Sequence, residues 1–292
     1  MRYKRKASDI IFDTLNILFL TLLGICCLYP IYYSLMASMS DPVKLMESGG
    51  VLLYPKGFHL GAYESVFRNR DIATGYMNTL IYVVVGTGIN VFLTLLGAYV
   101  LSRRGLYLKR FLNLYVVVTM FVNGGLIPTY LLVKNLHLLD TRWAIILPVA
   151  VNTYNMIMAR TYFGTIPDSL EESARIDGAG ELRILFQIMI PLAVPIIAVI
   201  TLYYAVSHWN SWFNEMIYLN DRGKYPIQLI LREILIQNEV GSMMQDYSAD
   251  KQPVADCIKY ATIIVATVPV LCIYPFVQKY FVKGVMIGAV KE

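Results

Sequence analysis

Long runs without a charged residue alternate along this chain with short charged segments. The runs cover residues 14–40, 72–102, 111–133, 143–159, 184–214 and 260–278. A bilayer-crossing helix needs about 20 mostly apolar residues. The pattern therefore predicts six membrane helices, at roughly 14–38, 74–101, 111–133, 143–161, 188–212 and 258–280. The longest runs exceed one crossing and are expected to tilt or bend. The expected fold is all-α, a single polytopic membrane domain over 1–292 without a separable soluble domain. Between the fourth and fifth spans lies a cytoplasmic loop, 162–187, and between the last two an extracellular segment, 213–257.

Composition supports the class. Of 292 residues, 57% are hydrophobic and 15% charged, against roughly 25% charged in soluble domains. The net charge of +5 requires no nucleic-acid partner, because Lys and Arg gather on the cytoplasmic side of membrane proteins. Arg2, Lys4, Arg5 and Lys6 precede the first run, and Arg103, Arg104, Lys109 and Arg110 fill the second loop. That bias places both termini and the 162–187 loop in the cytoplasm. The first run is too long for a signal-peptide core and reads as a retained span.

Enzyme chemistry finds little here. There is no phosphate-cradling G-x-x-x-x-G-K-[ST], no HExxH and no GxSxG. The four cysteines and three histidines show no metal-ligand spacing. The six runs hold no Asp, Glu, Lys or Arg and a single histidine, His208. Ion-coupled transporters usually carry ionisable groups there, so an energy source outside the chain is expected.

The 166–195 stretch, IPDSLEESARIDGAGELRILFQIMIPLAVP, stands apart. Asp168, Glu171, Glu172, Asp177 and Glu181 crowd into it, and its local signals predict helix, break, helix. Asp168 or Ser169 is placed to N-cap with an acid three residues on. Gly178 falls where a left-handed residue ends a helix. A second helix starts near Glu181 and is expected to break or bend before Pro191. By composition alone this is a charged loop between spans. Its spacing says more. Glu172, Ser173 and Ala174, then Gly178, then Ile188, Ile190 and Pro191 resemble the EAA signature of bacterial ABC-importer permeases. Asp177-Gly178-Ala179 ahead of Phe186 is similar to the sugar-importer branch, and Gly124–Pro148 and Phe281–Glu292 resemble the matching parts of carbohydrate permeases. Within that branch the chain looks like the smaller permease of the maltose importer and, more closely, a Gram-positive complex-oligosaccharide subgroup.

The resemblance implies a type I importer permease, not itself an enzyme. It implies a heterodimer with a second permease, two ATPase subunits that use ATP and Mg, and an extracellular lipoprotein that delivers a carbohydrate, an oligosaccharide in this subgroup. No cofactor is expected in this chain. Leu170, Glu171, Glu172, Ser173, Ala174, Asp177, Gly178 and Ala179 become ATPase-coupling residues. Gln237, Asn238, Gly241, Met243 and Met244 fall where a relative's loop meets its binding protein, within a stretch that otherwise reads as a flexible loop after a short amphipathic helix. Gly288, Ala289 and Lys291 fall in a tail that reaches the ATPases. Polar residues in or beside the spans are candidates for the substrate path: Asn78, Asn123, Asn152, Asn155, His208, Trp209, Asn210 and Trp212. The same residues can equally bond a neighbouring helix or anchor at the interface. A permease for a non-sugar solute, and a scaffold that docks a partner without transport, remain the alternatives.

Overall fold

The computed structural model describes residues 7–48, 50–103, 105–243 and 252–289, with the helical backbone alone for residues 237–243, 252–253, 273–274 and 276–289. The described residues are helical and contain no strand; an isolated bridge joins Ser40 and Phe58. They form two compact units, residues 1–69 with 231–269 and residues 70–230 with 270–292.

In the first unit, helix Ala7–Ser38 carries an internal Pro30. None of its apolar window is buried. Beyond it the chain is tied by its own polar groups. Tyr32 Oη donates to the Leu53 carbonyl at 2.6 Å, and Asp41 caps the short helix Pro42–Glu47 by accepting from Val43 and Lys44. Tyr33 meets Tyr260 edge to face at 5.7 Å.

The second unit is built on helix Arg70–Ser102, which is 33 residues long. It packs against Thr153–Phe163 and Val194–Asn210 through Leu95, Ala98, Tyr99, Ala159, Phe163, Val199 and Ile200. Apolar burial gives little driving force in a bilayer, so close packing and buried hydrogen bonds must hold such helices together. A π-helical turn, Tyr82–Gly86, interrupts the long helix. A Cβ on Gly86 would stand 2.5 Å from His208 Nε2, so only glycine lets the two helices approach this closely. Four residues on, Asn90 Oδ1 meets His208 Nε2 at 2.8 Å. One turn further, Thr94 and Tyr204 share a hydrogen bond of 2.6 Å.

Among the described residues three helices are long and apolar enough to cross a membrane: Ser8–Ser38, Arg70–Ser102 and Val254–Cys272. Counting two bent pairs as one span each raises the number to five. Three expected spans are interrupted. The 111–133 span is two helices, Lys109–Phe121 and Leu126–Asn135, set at 110°. Asn123 Oδ1 accepts from the Gly125 amide, and Gly125 takes φ 86°, so the Asn-Gly-Gly sequence turns the chain there. The 143–161 span has helix only at Trp143–Ile146 and Thr153–Phe163, with non-helical backbone at 147–152. The 188–212 span bends by 86° between Glu181–Leu192 and Val194–Asn210. That bend follows Pro191 rather than preceding it. A π turn, Leu185–Met189, absorbs the missing Pro191 amide, and the helix breaks at Ala193 before restarting with Pro195 in its first turn. The 238–243 stretch, expected to be loop, continues helix Ile227–Met243.

Candidate functional site

Two concave regions bring the sequence candidates together, and both lie in the second unit. The first surrounds helix Asp168–Ile176. Its N-cap is Pro167, which offers no side-chain bond; the expected capping box at Asp168 or Ser169 is absent because helical geometry already begins at Asp168. Its C-terminus is more strongly specified. Ala179 N donates to Ala174 O at 2.9 Å and Gly178 N to Arg175 O at 3.0 Å. With Gly178 at φ 81°, this is the paired C-terminal closure that a left-handed glycine permits. The next helix leaves at Glu181.

The residues of this helix divide between two faces. Ala174 and Ala179 pack on the core beside Phe163 and Ile184. Leu170, Glu172, Ser173, Ile176, Asp177 and Gly178 are exposed, and Ile176 is 86% exposed. Glu171 instead turns inward, its side chain 14% exposed, and pairs with Arg103, 16% exposed. Arg175 bridges Glu171 at 2.8 Å and Glu181 at 2.5 Å. Tyr99 Oη donates to Glu181 at 2.6 Å, and the Arg103 guanidinium lies over the Tyr99 ring at 4.5 Å. A cavity of about 580 Å³ opens between this network and the 102–106 loop, with Asp168 and Glu172 on its wall. Sequence spacing singled out the acids but missed Arg103 and Tyr99, whose positions follow from where the long helix ends.

The second region is a cleft of about 400 Å³ lined by Val149, Asn152, Tyr154, Asn155, Tyr203, Tyr204, Ser207 and His208. One wall is the non-helical 147–152 stretch. Irregular backbone at membrane depth needs partners or a water-filled cavity beside it, and here it has partners. Asn90 Nδ2 donates to Val149 O at 2.5 Å, and Asn152 N donates to Tyr204 Oη at 2.9 Å. Asn152 also caps helix Thr153–Phe163. Three path candidates, Asn152, Asn155 and His208, thus meet in one cleft. The others do not join them. Asn78 is buried, donating to Gly223 O and Tyr225 O and accepting from Arg142. Asn123 makes the turn described above, and exposed Asn210 donates to Val206 O. Trp209 is buried near Tyr76, with ring centroids 6.3 Å apart, and Trp212 packs on Phe213. Tyr154, Tyr203, Tyr204 and Ser207 went unrecognised in a chain with 22 tyrosines, where one more tyrosine is weak signal.

Among the remaining candidates, Gln237, Asn238, Gly241 and Met243 lie on the backbone of helix Ile227–Met243. Gly288 and Ala289 lie on that of helix Gln252–Ala289. Met244 and Lys291 lie outside the described residues.

Residues 90–287 match the family described as binding-protein-dependent transport system inner membrane component. The chain belongs to that family. It is a multi-pass membrane permease subunit. It is 43% identical, over 96% of its length and 98% of the relative's, to the polygalacturonan/rhamnogalacturonan transport system permease protein YtcP of Bacillus subtilis. Protein LplC of the same organism is 40% identical over 96% of this chain and 95% of LplC. A chain in the crystal structure of a bacterial ABC transporter for import of the acidic polysaccharide alginate superimposes with a TM-score of 0.86 at 35% identity, covering 96% of this chain and 99% of that one.

Proposed function

We propose that this permease carries a short oligosaccharide, of the acidic plant- or algal-polysaccharide type, in an ATP-driven importer. The observation that carries the reading is the split face of helix Asp168–Ile176: one side fixed to the membrane domain, the other exposed and unspent. On this reading the exposed side, Glu172 with Leu170, Ser173, Ile176, Asp177 and Gly178, docks a separate ATPase subunit. A second permease and a second ATPase complete the membrane assembly, and an extracellular lipoprotein supplies the sugar. Hydrolysis of ATP with Mg belongs to those ATPases. Both termini and the docking helix face the cytoplasm, and all six predicted segments, including the interrupted 143–161, cross the membrane.

The tyrosine-lined cleft is this subunit's share of the path. Tyr154 and Tyr203 offer ring faces for pyranose stacking, and Asn152, Asn155 and Ser207 offer hydrogen bonds to hydroxyls. The substrate class is taken from the names of relatives that transport polygalacturonan, rhamnogalacturonan or alginate. The full complex in proteoliposomes, with ATP enclosed and loaded binding protein outside, should accumulate labelled oligogalacturonate. No accumulation of oligogalacturonate or oligoalginate, with accumulation of a non-sugar solute, would sink the substrate assignment.

A further inference from the structure

We propose that Arg103 is a positioning residue for coupling, fastening the docking helix to the end of helix Arg70–Ser102 so that the two move as one body. The inference rests on the docking role given above to Asp168–Ile176. Arg103 is unsuited to contact a partner itself. Its guanidinium is paired with Glu171, stacked on Tyr99 and largely covered. An arginine held by ion pair and ring face together loses orientational freedom that a lysine would keep.

A second tie acts beyond the Gly178 turn. Tyr99, one helical turn before Arg103, donates to Glu181 at the start of the next helix. Arg175 joins the two ties by bridging Glu171 and Glu181. Both arms of the turn are therefore held to one helix end. The same helix reaches the cleft: Thr94 bonds Tyr204, and Asn90 bonds His208 and Val149 O. Asn90 and Ser102 are twelve residues apart, about 18 Å of α-helix. A displacement imposed on the docking surface thus reaches Tyr204 and His208 through one rod. Without the Arg103–Glu171 tie the docking helix could follow the ATPase while the rod stayed behind.

The test uses the assembled importer in proteoliposomes, with nitroxides on Ser169→Cys and Val100→Cys, both at exposed positions and neither among the docking residues. The label-to-label distance distribution should be narrow in the parent and broaden in Arg103→Ala. Oligogalacturonate taken up per ATP hydrolysed should fall at least tenfold, while ATPase co-purification stays within twofold. Glu171→Ala should do the same, and the double variant should be no worse than either single one, since both act through one contact. Arg103→Lys should restore part of the uptake, and it covers the case in which Arg103→Ala fails to insert. An unchanged distance distribution with normal uptake in Arg103→Ala, or losses that multiply in the double variant, would overturn the fastening and leave the docking assignment intact. Failure of any ATPase to co-purify with the parent would overturn both.

Discussion

Gly178 turns the chain at φ 81°, and apart from its two chain neighbours no described atom lies within 4 Å of where its Cβ would stand. Any effect of a side chain there comes from backbone strain, on the order of 1–2 kcal/mol, or from what docks outside. Gly178→Asp and Glu172→Lys should therefore insert normally yet lose uptake by tenfold or more, with poor ATPase co-purification. Arg110→Glu is the matched control, exposed in the first turn of helix Lys109–Phe121; Lys109 is a poorer one, since it donates to Ser102 O at 3.1 Å. Normal uptake by Gly178→Asp would place docking elsewhere. Glu215 presents a different case, a carboxyl in the first turn of the short helix Phe213–Tyr218 and 1% exposed. Burial pushes its pKa up, against the opposing pull of a backbone hydrogen bond and of Ser211. The folded chain therefore keeps this proton to a higher pH than the unfolded chain. Its stabilising contribution is full below the unfolded value, near 4.5, and is lost as pH rises through the folded value. Glu215→Gln should melt at a higher temperature than the parent at pH 8. The gain should shrink as pH falls toward 4.5, and a gain independent of pH would contradict the buried-acid account.

The helical elements were legible where length and hydropathy decide them, and illegible where a turn inside an apolar run decides them. Arg70–Ser102 and Ala7–Ser38 follow directly from charge-free runs. The break at 147–152 does not, because the sequence leading to it, AIILPVAVN, is apolar apart from its final Asn152. It is held open by Asn90 and Tyr204 from two other helices, and a sequence pattern cannot show such distant partners. Helix Asp168–Ile176 was read correctly at its glycine end, where the signal is local. It was misread at its start, where two plausible caps sat beside Pro167. The inward turn of Glu171 was hidden for the same reason as the break: its partner lies in another loop. Helix approach at Gly86 gives a test at this scale. Gly86→Val must push His208 off Asn90, because the first added carbon already overlaps the imidazole. Overpacking of this kind costs roughly 1–3 kcal/mol. The variant should melt earlier in detergent and should lose uptake even when assembled, whereas Gly88→Ala, with open space around it, should do neither. Equal damage from both would argue against a specific role for the Gly86 contact.

For the molecule as a whole, orientation is the property on which the functional reading depends. Tyr107→Cys, beside the segment that borders the Asp168–Ile176 helix, and Val51→Cys both place a thiol at exposed positions. In intact cells an impermeant maleimide should modify Val51→Cys and spare Tyr107→Cys, with the second labelled only after the membrane is opened. The reverse pattern would invert the topology and move the docking surface to the wrong side for an ATPase.

Adjacent acids facing opposite ways also separate two kinds of information within three turns of helix. Glu171 belongs to this chain's own wiring, and on the docking role proposed above Glu172, with Leu170, Ser173 and Ile176, spells an address for a soluble motor. An address of this sort can be rewritten without touching the wiring. Exchanging only the outward residues for those of another importer's permease should redirect which motor is recruited, while the cleft and the cargo it admits stay the same.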